Sequence, residues 1–336
     1  MGMEWYVVRR VAWAVVATWI AVSLTFGLLV VSPNPGADAA AAQAASQGLS
    51  PQQARDRYLS ERGLDRPFIE QYTDYVVDVF TLHWGYSISR DEPVTRAIGQ
   101  AWVYSVQYFV PAVLISVLLG YGIGLYTALH RYSLADYLGS VVAYFGISIP
   151  NFWFAVVLIL VVGVWFRSAE VFGVSLAPLS LRTFYDAGLP TFSVANAKQL
   201  VLPVVVLSTA SIASQMRYSR AQAMEYAHSA FVKTARAKGA SEWRILTRHV
   251  LRVALVPLST ILIVDVLAVL FAGSFVIELV FGIPGLGALA LSAIRQNDTP
   301  LVLATTLIPV FIAIVGNLLQ DLAYVVLDPR IEYGDR

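Results

Sequence analysis

Hydrophobic positions fall into six long runs: Val11–Val31, Trp102–Leu129, Tyr137–Phe166, Gln199–Met216, Val253–Phe281 and Leu301–Leu327. Each lies near the ~20 residues that a helix needs to cross a hydrocarbon core. The pattern therefore predicts an all-α, polytopic membrane protein with about six transmembrane helices. Arg9 and Arg10 precede the first run as they would in a secretory signal, but a signal's apolar region spans only ~7–15 residues, so this run is read as a span. Pro111, Pro150, Pro203 and Pro309 interrupt spans. Each frees a backbone carbonyl that a neighbour or a water-lined cavity must satisfy, as an ordinary kink or as part of a gate. Gly120, Gly122 and Gly124 would allow helix backbones to approach closely.

Between the runs, the long segment from Ser32 to Gln100 opens with an alanine-rich stretch, Ala37–Ala45, which is either loose or helical. Further on, Phe68, Tyr72, Tyr75, Val76 and Val79 recur with helical spacing, while Glu70, Asp74 and Asp78 point elsewhere. That predicts a helix on the membrane surface or across the end of the bundle. Arg167–Lys198 is a shorter loop, and Gly282–Pro300 begins with a turn-rich Gly-Ile-Pro-Gly-Leu-Gly.

Charge then orients the chain. Of 336 residues 57% are hydrophobic and 13% charged, against about 25% charged in soluble domains, and the mean hydropathy is +0.65. The formal net charge is only +1, which argues against a nucleic-acid partner. Between Arg217 and Arg252, however, eight basic residues oppose only Glu225 and Glu242, a local excess of six positive charges. Short Lys/Arg-rich loops stay cytoplasmic. With Arg9, Arg10, His130, Arg131 and Arg330 on the same side, both termini are inside.

Several chemistries are excluded. Without cysteine there is no disulfide, thiolate metal site or cysteine nucleophile. No phosphate-cradling G-x-x-x-x-G-K-[ST] occurs, and Gly120–Gly124 lies inside a span rather than after a strand. His83, His130, His228 and His249 are scattered, without H-E-x-x-H spacing. Asp265 and Asp321 suggest an intramembrane aspartyl protease, but Gly285–Gly287 is followed by Ala288 rather than aspartate. An ionisable group within a span defaults to a functional hypothesis. Asp265 is the deepest, with Glu278 and Asp321 nearer span ends; it either lines a path or holds neighbouring helices by a hydrogen bond or ion pair.

Inside the basic loop, Ala227, Phe231, Thr234 and Ala235 follow helical spacing. Gly239 suits a left-handed C-terminal cap, and Ser241 suits the N-cap of a second helix starting at Glu242. Helix, tight turn and helix would make a compact knob with Trp243 as an apolar anchor. Such a knob fits a groove on a partner, or the loop is only topogenic and touches lipid headgroups.

The residues then resemble a known family. Cytoplasmic loops of ATP-binding-cassette importer permeases carry Glu-Ala-Ala, three residues, Gly, nine residues, Ile-x-Leu-Pro. Here Lys233-Thr234-Ala235 and Gly239 occupy the first part, and His249-Val250-Leu251-Arg252 replaces the last. The Thr-Ala-Arg-Ala-Lys-Gly version of the dipeptide/oligopeptide/nickel group stands intact at Thr234–Gly239. Tyr6-x-x-Arg9-Arg10, Gly63–Pro67 before Gln71-Tyr72, Ser148–Trp153, Phe281–Gly287 with Asp298 and Pro300, and Asn317, Asp321 and Leu327–Arg330 are similar to that group's first permease. Val31-Ser32-Pro33-Asn34-Pro35, in place of a Pro-Gly-Asp-Pro turn, and the alanine-rich stretch depart from it.

The resemblance implies a type I importer transmembrane-domain fold in a prokaryotic plasma or inner membrane. Its parts would be an N-terminal segment and first span (1–31), an extracytoplasmic segment (32–100), a permease core (101–327) with a coupling loop (217–252), and a cytoplasmic tail (328–336). It implies no catalytic residue, metal or cofactor on this chain, with ATP and Mg bound by partner subunits. Those partners would be a second homologous permease, two cytoplasmic ATPases and an extracytoplasmic substrate-binding protein, besides membrane lipid. Thr234, Ala235, Arg236, Ala237, Lys238, Gly239, Ala240, Ser241 and Trp243 would meet the ATPases. Asp265, Pro150 and Asn151 would line the translocation path, and Pro284, Gly285 and Gly287 would form an outer gate. Peptides are the favoured cargo by analogy, with nickel chelates and oligosaccharides open. An ion-gradient-driven secondary transporter would show an internal repeat and a central polar site, neither of which is clear here. A membrane enzyme would need a nucleophile–base or metal constellation.

Overall fold

The computed structural model describes residues 3–31, 34–61, 63–171, 174–227, 229–271 and 274–327. His228, Ser32 and Pro33, and the Asp328–Arg330 motif with the 328–336 tail, lie outside the described residues. Helix dominates, because a segment in hydrocarbon must satisfy its own backbone. Contacts divide the chain into two units, one made of Val8–Gly99 and Ala290–Ile314, the other of Met1–Val7, Gln100–Leu289 and Val315–Arg336.

The first unit holds most of helix α1 (Met3–Val31), then α2 (Pro35–Ser46), α3 (Pro51–Glu61) and α4 (Phe68–Phe80). The alanine-rich stretch is helical. Asn34 caps α2 by accepting the Ala37 N–H at 3.1 Å, and Pro35 opens its first turn, so the atypical Asn-Pro is a helix start. Helices α2 and α3 pack as a hairpin, with Gly36 against Tyr58 and an Arg55–Asp38 ion pair at 3.0 Å. Helix α4 realises the expected amphipathic face. Phe26 of α1 meets the rings of Phe68, Tyr72 and Tyr75 at 5.3–5.4 Å, and the Ser23 and Tyr72 hydroxyls share a 2.7 Å hydrogen bond. A short antiparallel hairpin, β1 (Tyr86–Ser87) with β2 (Glu92–Pro93), follows. Asp298 pins it: the carboxylate accepts the Ser87 and Ser89 hydroxyls, both at 2.6 Å, and the Ser89 N–H at 2.9 Å.

The second unit is built on α5 (Val94–Leu129), α6 (Leu134–Ser148), α7 (Asn151–Leu158), α8 (Val194–Ala227), α9 (Ala230–Ala237), α10 (Glu242–Arg244), α11 (Leu251–Phe271), α12 (Phe275–Phe281) and the start of α13 (Leu286–Arg295). Between α7 and α8, the loop carries a small hairpin of β3 (Glu170–Val171) and β4 (Val174–Ser175). Helix α14 (Thr299–Leu327) closes the chain.

Small residues let α8 serve as the axis. A side chain at Gly120 or Gly124 of α5 would strike Gln215 or Ser219 of α8, whereas Gly122 faces open space. Gly146 of α6 also lies close against Thr209 and Ala213, though less tightly. An Arg220–Asp136 ion pair at 2.9 Å, with Asp136 buried, fastens α8 to the start of α6.

Helices starting at Glu4, Val94, Val194 and Thr299 are each long and apolar enough to cross a membrane, and α11 adds 21 residues. Two runs depart from a simple rod. Tyr137–Phe166 is broken at Ile149–Pro150, where α6 and the helix from Asn151 to Arg167 meet at 101°. Val253–Phe281 divides as well: α11 ends at Phe271, and α12 joins α13 at an 89° bend instead. The start of the basic loop, Arg217–Ala227, belongs to α8.

Candidate functional site

The knob follows from local chemistry. Helix α9 is capped by Lys238; Gly239 takes φ +77° and donates its N–H to the Arg236 carbonyl at 3.0 Å. Ala240 N–H reaches back to the Ala235 carbonyl at 3.1 Å, completing the two-bond termination that a left-handed glycine permits. Ser241 then caps α10, its hydroxyl accepting the Arg244 N–H at 3.4 Å. Across the bend the Arg236 guanidinium donates to both Glu242 oxygens, at 2.9 and 3.0 Å. Helical backbone continues from Glu242 through a π-helical stretch, Ile245–Val250, into α11.

One face of the knob is welded to the spans. Val232 (0% exposed) and Ala235 pack in one core with Ile245, Leu246 and Val250, with Tyr121 and Leu125 of α5, Ala223 of α8, and Leu258 of α11. The expected inward face is thus shifted: Phe231 (41% exposed) and Thr234 point out, and Val232 points in. Arg236, Ala237, Lys238, Gly239 and Ser241 are exposed, Ala240 is half-buried, and Trp243 is 72% exposed.

The turn-rich Gly-Ile-Pro-Gly-Leu-Gly wraps a buried carboxylate. Glu278 of α12 (1% exposed) accepts the Ser105 and Tyr108 hydroxyls of α5 at 2.7 and 2.8 Å and the Ala288 N–H at 2.7 Å. Ser105 in turn accepts the Leu286 N–H at 2.8 Å, and Tyr108 accepts the Ser274 N–H at 3.0 Å. A side chain on Gly285 would land on the Glu278 carboxylate and the Ser105 hydroxyl, and one on Gly287 would strike the Phe275 backbone. Pro284 lies in the bend between α12 and α13.

Asp265 of α11 receives a hydrogen bond from the Gln215 side chain of α8, the interhelical role open to it. Pro150 and Asn151 form the α6–α7 corner, apart from that pair in bonding. Sequence reasoning missed a second network. Asn196 donates to Gln107 at 2.8 Å, Gln199 donates to Asn196 at 2.8 Å, and Tyr185 donates to Asn196 at 3.2 Å, tying the Arg167–Lys198 loop to α5 and α8. Gln107 and Gln199, polar residues near the starts of two apolar runs, were the available signal.

Broken spans around a glycine-packed axis, with a knob continuous with one span, describe a polytopic membrane protein. The chain belongs to the family described as binding-protein-dependent transport system inner membrane component, whose pattern matches residues 120–333. It is 32% identical over 283 residues to the oligopeptide transport system permease protein AppB of Bacillus subtilis strain 168, covering 83% of this chain and 85% of that one. To the dipeptide transport system permease protein DppB of the same strain it is 32% identical over 332 residues, 98% of each chain. Its identity to the DppB of Escherichia coli K12 is 29% over 344 residues, again 98% of each. Membership makes the chain a multi-pass permease subunit of a multicomponent transport system rather than an enzyme.

Proposed function

We propose that this chain is one of two permease halves of a peptide importer in a prokaryotic plasma or inner membrane, with both termini inside. The other half is a related permease, two cytoplasmic ATPases bind ATP and Mg, and an extracytoplasmic binding protein delivers the cargo. The relatives, which are oligopeptide and dipeptide permeases, support peptides. The observation that carries the mechanism is the knob: Thr234, Arg236–Gly239, Ser241 and Trp243 stand out from the packed core, while Val232 and Ala235 weld them to α5, α8 and α11. The exposed face receives the ATPases, and closure of the ATPase dimer pushes the weld and tilts those three spans together. A partner binding both states equally would shift nothing, so the Phe231–Trp243 surface must meet its groove differently in the inward- and outward-facing forms.

At the outer end, Pro284, Gly285 and Gly287 hold the α12–α13 bend around Glu278 as a gate coupled to α5. Asp265, with Gln215, and the Pro150–Asn151 corner line the path between. The test is reconstitution with the partner permease, ATPases and binding protein in liposomes, followed by uptake of labelled di- and oligopeptides. ATP-dependent peptide accumulation is expected. Accumulation by this chain alone on an ion gradient, or uptake of only nickel chelates or oligosaccharides, would refute the reading.

A further inference from the structure

A cleft of about 870 Å³ lies wholly within the unit that carries the extracytoplasmic segment, within the ~300–1,000 Å³ range of ligand sites. Its floor is the ends of two spans: Leu29 and Val30 close α1, and Leu303, Ala304 and Leu307 open α14. With both termini inside, these ends face outward, so the floor sits at outer-leaflet depth. The wall is aromatic, from Tyr58, Tyr75, Trp84 and Tyr86, the residue types that favour the head-group level. Trp84 is fixed there by its indole N–H, which donates to the Val79 carbonyl at 2.9 Å.

The rim carries both signs of charge. Arg55 gives one N–H to Asp38 and keeps further donors, since a guanidinium has five. Asp78 lines the cleft with no side-chain hydrogen bond or ion pair among the described residues.

We propose that the cleft holds one outer-leaflet phospholipid with an ammonium-bearing, zwitterionic head group. Its acyl chain lies on the floor between α1 and α14, its phosphate meets Arg55, and its ammonium meets Asp78. A free peptide carries the same charge pair, but its main-chain amides would be buried against an apolar floor without partners, whereas an acyl chain bears no such cost. The bound lipid would tie the α2–α3 hairpin to the two spans. This inference rests on the orientation of the chain and not on its cargo.

The test uses the whole transport complex in nanodiscs containing phosphatidylethanolamine with a diazirine midway along one chain, with labelled peptides mapped by mass spectrometry. Labelling of Leu59, Trp84 and Leu303 is expected beside that of the outward-facing Leu24. Asp78 is exposed, so Asp78→Lys should fold normally; placing a cation against the ammonium should reduce cleft labelling at least about fivefold and leave Leu24 unchanged. Ala304→Phe, which fills the floor, should do the same. Labelling confined to Leu24, no response to either variant, or labelling of the cleft by a photo-reactive dipeptide but not by the lipid would each overturn the proposal.

Discussion

Trp243→Ala separates docking from folding. With 72% of Trp243 exposed and its neighbours Ile245 and Leu246 carrying the packing, truncation should change the stability of this chain by less than ~0.5 kcal/mol. If the indole fills a groove on an ATPase, its removal should weaken that contact by ~2–4 kcal/mol, roughly 30- to 1,000-fold in affinity. The natural control is Val232→Ala on the opposite side of the same knob. Val232 is fully buried, and losing two methyl-sized groups plus the residual cavity should cost about 2–3 kcal/mol of folding stability while leaving the docking face intact. Titrating purified ATPase subunits onto nanodisc-embedded variants gives the affinity, and thermal unfolding of the permease gives the stability. ATP consumed per peptide imported should rise for Trp243→Ala as hydrolysis uncouples. Equal affinity of Trp243→Ala and wild type, or a loss of stability matching that of Val232→Ala, would refute the docking role.

Gly239→Val should fray the end of α9, because a β-branched residue at φ +77° is strained by at least ~1–2 kcal/mol; hydrogen exchange of residues 235–241 should accelerate, while Gly239→Asn stays near wild type. Glu278→Leu should orphan the Ser105 and Tyr108 hydroxyls and the Ala288 N–H. At ~1–3 kcal/mol for each buried orphan, its melting temperature should fall far below that of Glu278→Gln, which keeps an acceptor for the two hydroxyls. Burial pushes the Asp298 carboxyl up, but hydrogen bonds from Ser87, Ser89 and the Ser89 and Leu301 amides outweigh it and hold it below its ordinary value. The stabilisation this gives the β1–β2 hairpin should therefore be constant at neutral pH and disappear as pH falls below about 4. Limited proteolysis between Trp84 and Glu92 should follow that curve in the wild type and be nearly flat in Asp298→Asn.

Much was legible because the bilayer imposes a length. Six runs, the amphipathic face of α4 and the Gly239–Ser241 turn each rest on a local rule that a single segment displays. What escaped depends on direction and on distance along the chain. The composition of Tyr137–Phe166 is continuous, so hydrophobicity says nothing of a 101° corner at Pro150. The division of Val253–Phe281 did leave signals: Ser274 caps α12 and Gly282 ends it at φ +69°, but both are hidden in an apolar background. The need for glycine at 285 comes from Glu278 and Ser105, the latter 180 residues upstream in sequence. Inside the knob, Phe231 and Val232 are adjacent hydrophobes with opposite fates, and only the docking of α9 on α5 and α8 decides between them.

The π-helical stretch Ile245–Val250 sets the rotational phase between Trp243 and the span that follows it. A wide turn of this kind holds one residue more than an α-helical turn, and each residue of an α-helix advances the azimuth by ~100°. Deleting a single residue there would leave every apolar run intact and yet swing the indole about a quarter of a turn around the α11 axis. On the coupling proposed above, the angle between the gripped surface and the moving span is therefore set by the residue count of this one turn, open to change without altering either of them.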